Sequence, residues 1–422
     1  MPEPTKTAEP GGPQERPRVL MTTSTLPRWA GDAEPRFVLD LARAMRPHAD
    51  VELLAPHAPG ARRRETLEDV PVSRYRYWIP RWQAAAYQGG MNQRLKQNRL
   101  RAFQLPFFLL AQTVAIARRL RQQPAIDLIH AHWLIPQGLA ALIARRLAGR
   151  PEIPILCTSH GGDLFGLKGG LMTRLKRWVL QRCDATSVVS HAMAEEARRL
   201  EPDCRPEIIP MGTDLRHRFT PEGPNATERE THRLAFVGRL VEKKGLTHLL
   251  DALALFPEPE RPQLDLVGDG PLRAELEQRA DNLGLSGHVT FHGAIPHDRL
   301  PEIYRRAAIA VFPFVEAADG DQEGFGLVVI EAMGCGCAVI ASDLPAVRDT
   351  IPDQTTGLRV PPADAEALHA RIEELLNEPE RIRALAEGGR KHALAHYDWL
   401  ATADTFGTVY ATLAHTHAGH HP

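Results

Sequence analysis

Residues 307–342, AAIAVFPFVEAADGDQEGFGLVVIEAMGCGCAVIAS, constrain the fold of this chain more than any other stretch. Ala308 to Phe312 is a short apolar run of strand type, Val315 to Gln322 is acidic and loop-like, and Leu327 to Met333 is apolar with Glu331 as its single charge. Gly334 and Gly336 suit a helix C-terminus, and Ala338 to Ala341 resumes a buried strand. Strand, loop, helix and strand in that order put the loop and the first helical turn at the carboxyl edge of a sheet, where open α/β folds bind ligands. The glycines of Glu323-Gly324-Phe325-Gly326-Leu327 let backbone N–H groups approach an anion at the helix start, where the dipole favours negative charge. Glu331 lies roughly 6 Å further along the axis, about the distance from a phosphate to a ribose. The plainer reading makes Glu331 an exposed helix residue and the glycines ordinary turn residues.

The same alternation runs through the rest of the 422 residues, enough for two α/β domains of about 200 residues that each bury a core. Arg18 to Thr23, Pro35 to Met45 and Val51 to Ala55 read as an opening strand, helix and strand. Ile126 to Gly138 reads as a strand passing into a loop and helix, and Pro154 to Ser159 as a buried strand that ends at His160-Gly161-Gly162-Asp163. Ala185 to Val189 is a further strand, and Thr220 to Glu230 is polar and broken by proline and glycine, as linkers are. Arg233 to Val237, Gln263 to Val267 and His288 to Phe291 then supply strands between amphipathic helices, and the last third is largely helical. The expected architecture is two doubly wound parallel-sheet domains facing across a cleft. Its boundaries are a tail over 1–16, a first domain over 17–216, a linker over 217–231, a second domain over 232–396 and a last helix over 397–415.

Fifty-one Lys and Arg against 52 Asp and Glu leave almost no net charge, which argues against general nucleic-acid binding. The distribution is uneven. Between Val70 and Ile126 lie ten basic residues, Arg74, Arg76, Arg81, Arg94, Lys96, Arg99, Arg101, Arg118, Arg119 and Arg121, and no acidic one. Trp78, Trp82, Tyr87, Phe103, Phe107 and Phe108 are interleaved with them. That composition suits a segment lying on an anionic membrane or gripping a lipid-phosphate acceptor; equally, it suits a solvated basic helix whose aromatics fill the first core. Five cysteines without zinc spacing fit a reduced cytosol, and the Pro- and Glu-rich amino terminus reads as a disordered tail without a secretion signal. The longest apolar run, Phe107 to Ala117, falls short of the roughly 20 residues of a membrane span, so the expectation is a cytoplasmic protein, at most peripheral on the inner face.

Glu323 and Glu331, separated by seven residues with Gly-Phe-Gly after the first, resemble the donor-site motif of the family 4 (group 1) retaining glycosyltransferases, built on the two-Rossmann-domain GT-B fold. The resemblance implies that Glu323 and the backbone of Gly324 and Phe325 face the donor sugar, that Gly326 and Leu327 face the diphosphate, and that Glu331 holds the ribose. It gives His160 a contact near the reacting carbon, with Asp163 beside it, and gives Arg239 and Lys244 the grip on the leaving diphosphate. Fixed cations and a helix N-terminus stabilise the negative charge that builds on a departing nucleotide, so neither metal nor cofactor is implied. The resemblance further implies base contacts from Gly293, Ala294 and Ile295, a last helix that crosses back to the first domain, and front-face attack in which the departing phosphate oxygen takes the acceptor proton.

Some positions fit that pattern less closely. The loop Leu26 to Asp32, where relatives often carry two glycines, has Gly31 followed by Asp32, and a carboxylate repels phosphate. Gly31 is thus a candidate for a phosphate or acceptor loop, or a plain turn residue. His130 and His132 share one side of a strand. His130 reads as structural, and His132 with Trp133 as a candidate lining of the acceptor cleft. The loop Phe314 to Gln322 is longer than usual; its Glu316, Asp319 and Asp321 admit a metal site, but Asp-Gly-Asp alone lacks enough ligands and the loop reads rather as mobile and solvated, and Lys243 reads as solvent-exposed.

The partners expected are a nucleotide-diphosphate-sugar, a lipid-linked or saccharide acceptor and no nucleic acid. The expected reaction moves a hexose-type sugar in cell-surface polysaccharide or glycolipid assembly. Neither a Gly-x-Gly-x-x-Gly dinucleotide fingerprint nor a Gly-x4-Gly-Lys-Ser/Thr phosphate loop occurs. A non-catalytic nucleotide-sugar sensor of the same fold is the competing class; it would be expected to lose charged site residues, and Arg239, Lys244, Glu323 and Glu331 are all present.

Overall fold

The computed structural model describes residues 16–32, 34–83, 86–87, 103–167, 169–223 and 229–418. The first half runs β1 (Arg18–Thr22), α1 (Phe37–Ala44), β2 (Asp50–Pro56), β3 (Arg64–Leu67), β4 (Val70–Tyr75), α2 (Leu105–Leu120), β5 (Leu128–His132) and α3 (Leu139–Leu147), then β6 (Ile155–Ser159), α4 (Gly170–Leu180), β7 (Ala185–Val188), α5 (His191–Leu200) and β8 (Glu207–Ile208). Its strands form one sheet in the order β3-β4-β2-β1-β5-β6-β7-β8, parallel except for the β3–β4 pair. Central strands such as β5 and β6 are buried at every position because both faces are covered, and their residues are mostly apolar. Val19 and Met21 of β1 enter one hydrophobic cluster and Leu20 the other.

The second half runs β9 (Glu230–Val237), α6 (Leu246–Ala254), β10 (Gln263–Val267), α7 (Arg273–Asn282), β11 (Val289–Gly293) and α8 (Leu300–Arg306), then β12 (Ala307–Phe312), α9 (Leu327–Gly334), β13 (Ala338–Ser342), α10 (Pro345–Thr350), β14 (Leu358–Val360), α11 (Ala365–Asn377), α12 (Pro379–His396) and α13 (Trp399–Ala418). Its sheet is parallel in the order β11-β10-β9-β12-β13-β14. Two doubly wound sheets are therefore present. β9 begins inside the stretch 217–231 expected to be linker, because its first three residues are exposed and polar and carry no apolar signal.

Chain order reverses beside β9, which lies between β10 and β12, and beside β1, which lies between β2 and β5. At such points the connections leave a sheet in opposite directions and open a crevice at the carboxyl edge. The segments leaving β9 and β12 are the ones the sequence marks, Arg239 to Lys244 and Phe314 to Gly326. α13 returns to the first half, where Phe406, Tyr410 and Leu413 join the cluster of Val38, Leu39 and Leu41 from α1.

The basic, aromatic segment divides between the two readings given for it. Tyr87 and Phe108 are core residues, while Trp82, Phe103 and Phe107 are exposed, with Ile79 and Leu110 beside them in sequence. Arg74 is buried against Glu65, Arg119 pairs with Glu52, and Arg76 and Arg81 are exposed. Arg94, Lys96, Arg99 and Arg101, like residues 1–15 of the tail, lie outside the described residues. None of the described helices is long and apolar enough to cross a membrane.

Candidate active site

The segment leaving β9 turns through Glu242–Lys244 to Gly245, whose φ of 63° is left-handed, before α6 begins. A side chain at Gly245 would meet the Pro313 carbonyl at 1.8 Å, so only glycine lets this turn lie against the segment leaving β12. The contact fixes Lys244 opposite the start of α9. Its Nζ lies 2.6 Å from Glu323 Oε2 and 4.6 Å from the Phe314 ring centroid.

Glu323 Oε1 accepts from the backbone N–H groups of Gly324 and Gly326, each at 3.2 Å. Gly326 is left-handed, with φ 82°, and caps α9, which starts at Leu327. One carboxylate thus sits on an ammonium and two amides at a helix N-terminus. Burial pushes the Glu323 carboxyl up, but the charges of Lys244 and Lys243, the Lys244 hydrogen bond and a backbone N–H of the loop outweigh it and hold it at about 2. Arg239 stands exposed on the same segment as Lys244, with Asp321 as a charge neighbour.

Glu331 is buried in α9, which removes the reading of it as an exposed helix residue. Its Oε1 lies 2.9 Å from His297 Nε2, and His297 Nδ1 is 3.2 Å from Arg218 Nη1. An arginine only donates, so His297 Nδ1 accepts and Nε2–H faces the carboxylate. His297 is a site residue the sequence reading missed. It stands two residues beyond Gly293 to Ile295, in the loop after β11, and that position was its one available signal. Gly293 takes φ 69°, and its carbonyl accepts from Gly268 N–H.

From the other half, His160 follows β6 directly, with its ring 4.9 Å from Phe37 and 5.1 Å from Trp133. Burial there lowers its pKa to about 3 and keeps it neutral. The His160 carbonyl and Gly161 Cα each lie 3.4 Å from a Cβ placed on Gly324, and Ser190 Oγ donates to the Gly324 carbonyl at 3.0 Å. His160, Lys244 and the Glu323 loop are therefore brought to one place.

Several expectations are corrected. Asp163 does not face the crevice: its oxygens accept from Leu134 N–H at 2.6 Å and Ser159 Oγ at 2.7 Å, so it builds the loop. His132 is fully buried behind His160 and lines no cleft. The Phe325 ring is buried against Tyr397, leaving the backbone for any ligand. Asp32 is not aimed at a phosphate, because Arg28 holds both its oxygens, and Gly31 is exposed in that loop.

The loop 314–322 leaves Glu316, Ala318 and Asp319 exposed to solvent, as expected, but hydrogen bonds tie it to the segment leaving β9. Ala318 N–H donates to Glu242 at 2.8 Å, Val315 N–H donates to the Lys243 carbonyl, and Lys243 Nζ pairs with Asp321 at 3.2 Å instead of pointing to solvent.

The model of the group 1 glycosyl transferases matches residues 222–392, and that of glycosyltransferase family 4 matches residues 35–217. A GDP-mannose-dependent alpha-(1-6)-phosphatidylinositol monomannoside mannosyltransferase from Mycolicibacterium smegmatis is 29% identical over 343 residues, covering 76% of this chain and 86% of that protein. Its counterpart from Mycobacterium tuberculosis H37Rv is 31% identical over 297 residues, covering 67% of this chain and 75% of that protein. Among solved structures, a sucrose-phosphate synthase from Thermosynechococcus elongatus superposes with a TM-score of 0.74 at 25% identity, covering 95% of this chain and 100% of that chain.

Proposed function

The chain belongs to the family 4, group 1 glycosyltransferases, with their GT-B fold, and from that premise we propose a hexose transfer from a nucleoside-diphosphate sugar to an acceptor hydroxyl, with retention at the anomeric carbon. The observation that supports this most is the cradle at the start of α9. An anion, the Glu323 carboxylate, already rests there on Lys244 and two backbone amides, one helical turn from Glu331. With donor bound, the leaving diphosphate takes over the ammonium and the amide of Gly326, joined by Arg239 and Leu327. Glu323 is then free to turn to the sugar with His160 and Gly324. Glu331, steadied by His297, holds the ribose, and the loop Gly293 to Ile295 meets the base.

The departing phosphate oxygen takes the acceptor proton as the new glycosidic bond forms on the same face of the sugar. Preorganised charge of this kind is worth on the order of a hundredfold in rate per contact. Lys244→Ala and Glu331→Ala should each lower turnover by about that factor, measured as donor consumed in the presence of acceptor. Near-full activity in both variants would remove the site assignment.

The two mycobacterial relatives, GDP-mannose-dependent phosphatidylinositol monomannoside mannosyltransferases, favour GDP-mannose as donor and a lipid-borne acceptor, and so a role in glycolipid or surface-polysaccharide assembly. A lipid-borne acceptor is supported by the exposed Ile79, Trp82, Phe103, Phe107 and Leu110. Arg81 lies over the Trp82 ring at 4.6 Å, an amphipathic pairing suited to a headgroup layer. The segment from Arg76 onward follows β4 and so leaves the carboxyl edge of the first sheet, the edge from which His160 also emerges. Sedimentation with vesicles should show binding to anionic phosphatidylglycerol vesicles that weakens with salt and with Trp82→Ser/Phe107→Ser. Equal binding to neutral phosphatidylcholine vesicles would discard the electrostatic part.

A further inference from the structure

His132 ends β5 with an unusual set of partners. It is fully buried, its Nδ1 is 3.0 Å from His160 Nε2, and the two rings are stacked at 5.2 Å and 15°. Its Nε2 is enclosed with no hydrogen-bond partner among the described residues. His130, whose ring lies 4.2 Å away, has both nitrogens paired, to Tyr410 and Thr158 at 2.7 Å each. His130 is a satisfied core histidine; His132 is not. An apolar ring would fill the same space without burying an unpaired nitrogen, so packing does not account for imidazole here. The next residue, Trp133, takes φ 82°, a left-handed conformation that costs a bulky residue energy and collects at functional sites.

We propose that His132 is a positioning residue for the transfer reaction: its Nδ1–H donates to His160 Nε2 and fixes His160 in the tautomer that carries its proton on Nδ1, as a hydrogen-bond donor to the donor sugar. The proposal rests on the role given to His160 above. With the proton placed the other way, His160 Nε2–H would donate to His132 Nδ1, and His132 would bury an N–H with no acceptor. In the first arrangement His132 instead encloses one bare ring nitrogen, an acceptor without a donor, and such groups are less rare in folded proteins than enclosed N–H donors without an acceptor. The shared proton therefore belongs to His132, and His160 Nε2 is occupied as an acceptor.

Long-range 1H–15N spectra of the full-length protein labelled with 15N-histidine, with His160 assigned through His160→Gln, read the tautomer without any activity measurement. The expected result is Nδ1–H on His160 in the wild type and a mixture of tautomers in His132→Leu. Turnover of His132→Leu should fall by roughly tenfold or more, with the donor KM within about twofold, as expected when a group that acts on the reacting sugar is misplaced. His132→Asn keeps an N–H donor near the Nδ1 position and should recover turnover to within about threefold of wild type.

Protonation of wild-type His160 at Nε2 overturns the proposal, even if His132→Leu fails to fold. So does an asparagine variant that binds nucleoside diphosphate as wild type yet transfers no better than the leucine variant. If the tautomer is as expected but His160→Gln transfers at the wild-type rate, the His132–His160 bond stands and the role given to His160 falls, taking the positioning claim with it.

Discussion

Burial alone would leave the Glu323 carboxyl protonated near neutral pH more readily than in water, yet Lys244, Lys243 and the loop amides reverse that and hold it at about 2. A carboxylate with a depressed folded-state pKa contributes stability that is present above its ordinary value of about 4.3 and is lost as pH falls toward 2. Wild type should therefore lose urea resistance across that window, and Glu323→Gln, which cannot titrate there, should lose less. If the two curves run parallel, the ammonium is not what holds the carboxylate. The same residues show why parts of the site were legible and others were not. Arg239, Lys244, Glu323 and Glu331 sit at fixed spacings in segments bounded by glycine, and their pattern survives in one dimension. His297 on Glu331, His132 behind His160 and the inward turn of Asp163 depend on contacts between segments far apart in sequence, which no spacing records.

At the level of elements, the central strands were legible because a parallel strand covered on both faces is buried throughout and reads as a mostly apolar run, even with the histidines of β5 in it. The hairpin β3–β4 was not: β3 is mostly polar and half-exposed at the sheet edge, and its turn at Glu68 and Asp69 uses left-handed residues without a glycine. The tethering of loop 314–322 was hidden for a related reason, since its acidic composition signals the solvent it does meet but not the bonds from Glu242 and Lys243 that fix it. The turn joining β9 to α6 carries a sharper consequence. Gly245 and Gly284 take similar left-handed angles, 63° and 68°, but only Gly245 faces a carbonyl at 1.8 Å, while Gly284 has nothing within 4 Å. Gly284→Ala should cost only the strain of the backbone angle, about 1 kcal/mol. Gly245→Ala must also push Pro313 away, for roughly 3 kcal/mol in all, and should move Lys244 out of reach of Glu323. Denaturant midpoints for the pair measure the difference, and equal losses would mean that the close approach is not rigid.

Across the whole molecule, the last helix joins the stability of the two halves to protonation. α13 follows the second sheet in sequence, yet Tyr410 donates or accepts at His130 Nδ1 in the core of the first, and Thr402 bonds the Pro210 carbonyl. His130 and His160 are pushed down to about 3 and His132 well below its ordinary value, chiefly by burial, with neighbouring imidazoles adding to the effect on His130 and His132. In the unfolded chain each would take its proton near pH 6.5. Between those limits the unfolded state binds more protons, so stability is full above about pH 6.5 and falls as pH drops. The slope is at most about 1.4 kcal/mol per pH unit for each histidine, or about 4 for three. Most carboxylates titrate lower, so the interval from pH 6.5 to 5 isolates the histidine contribution. His130→Gln offers hydrogen-bonding atoms to Tyr410 and Thr158 but cannot titrate; because burial also lowers His392, its loss of urea midpoint over that interval should be about one quarter to one third smaller than in wild type. Because Tyr410 arrives from beyond the second domain, the unfolding should register in both halves at one midpoint. An unchanged slope in His130→Gln would show that protons enter elsewhere, and two separated transitions would show that α13 does not bind the halves together.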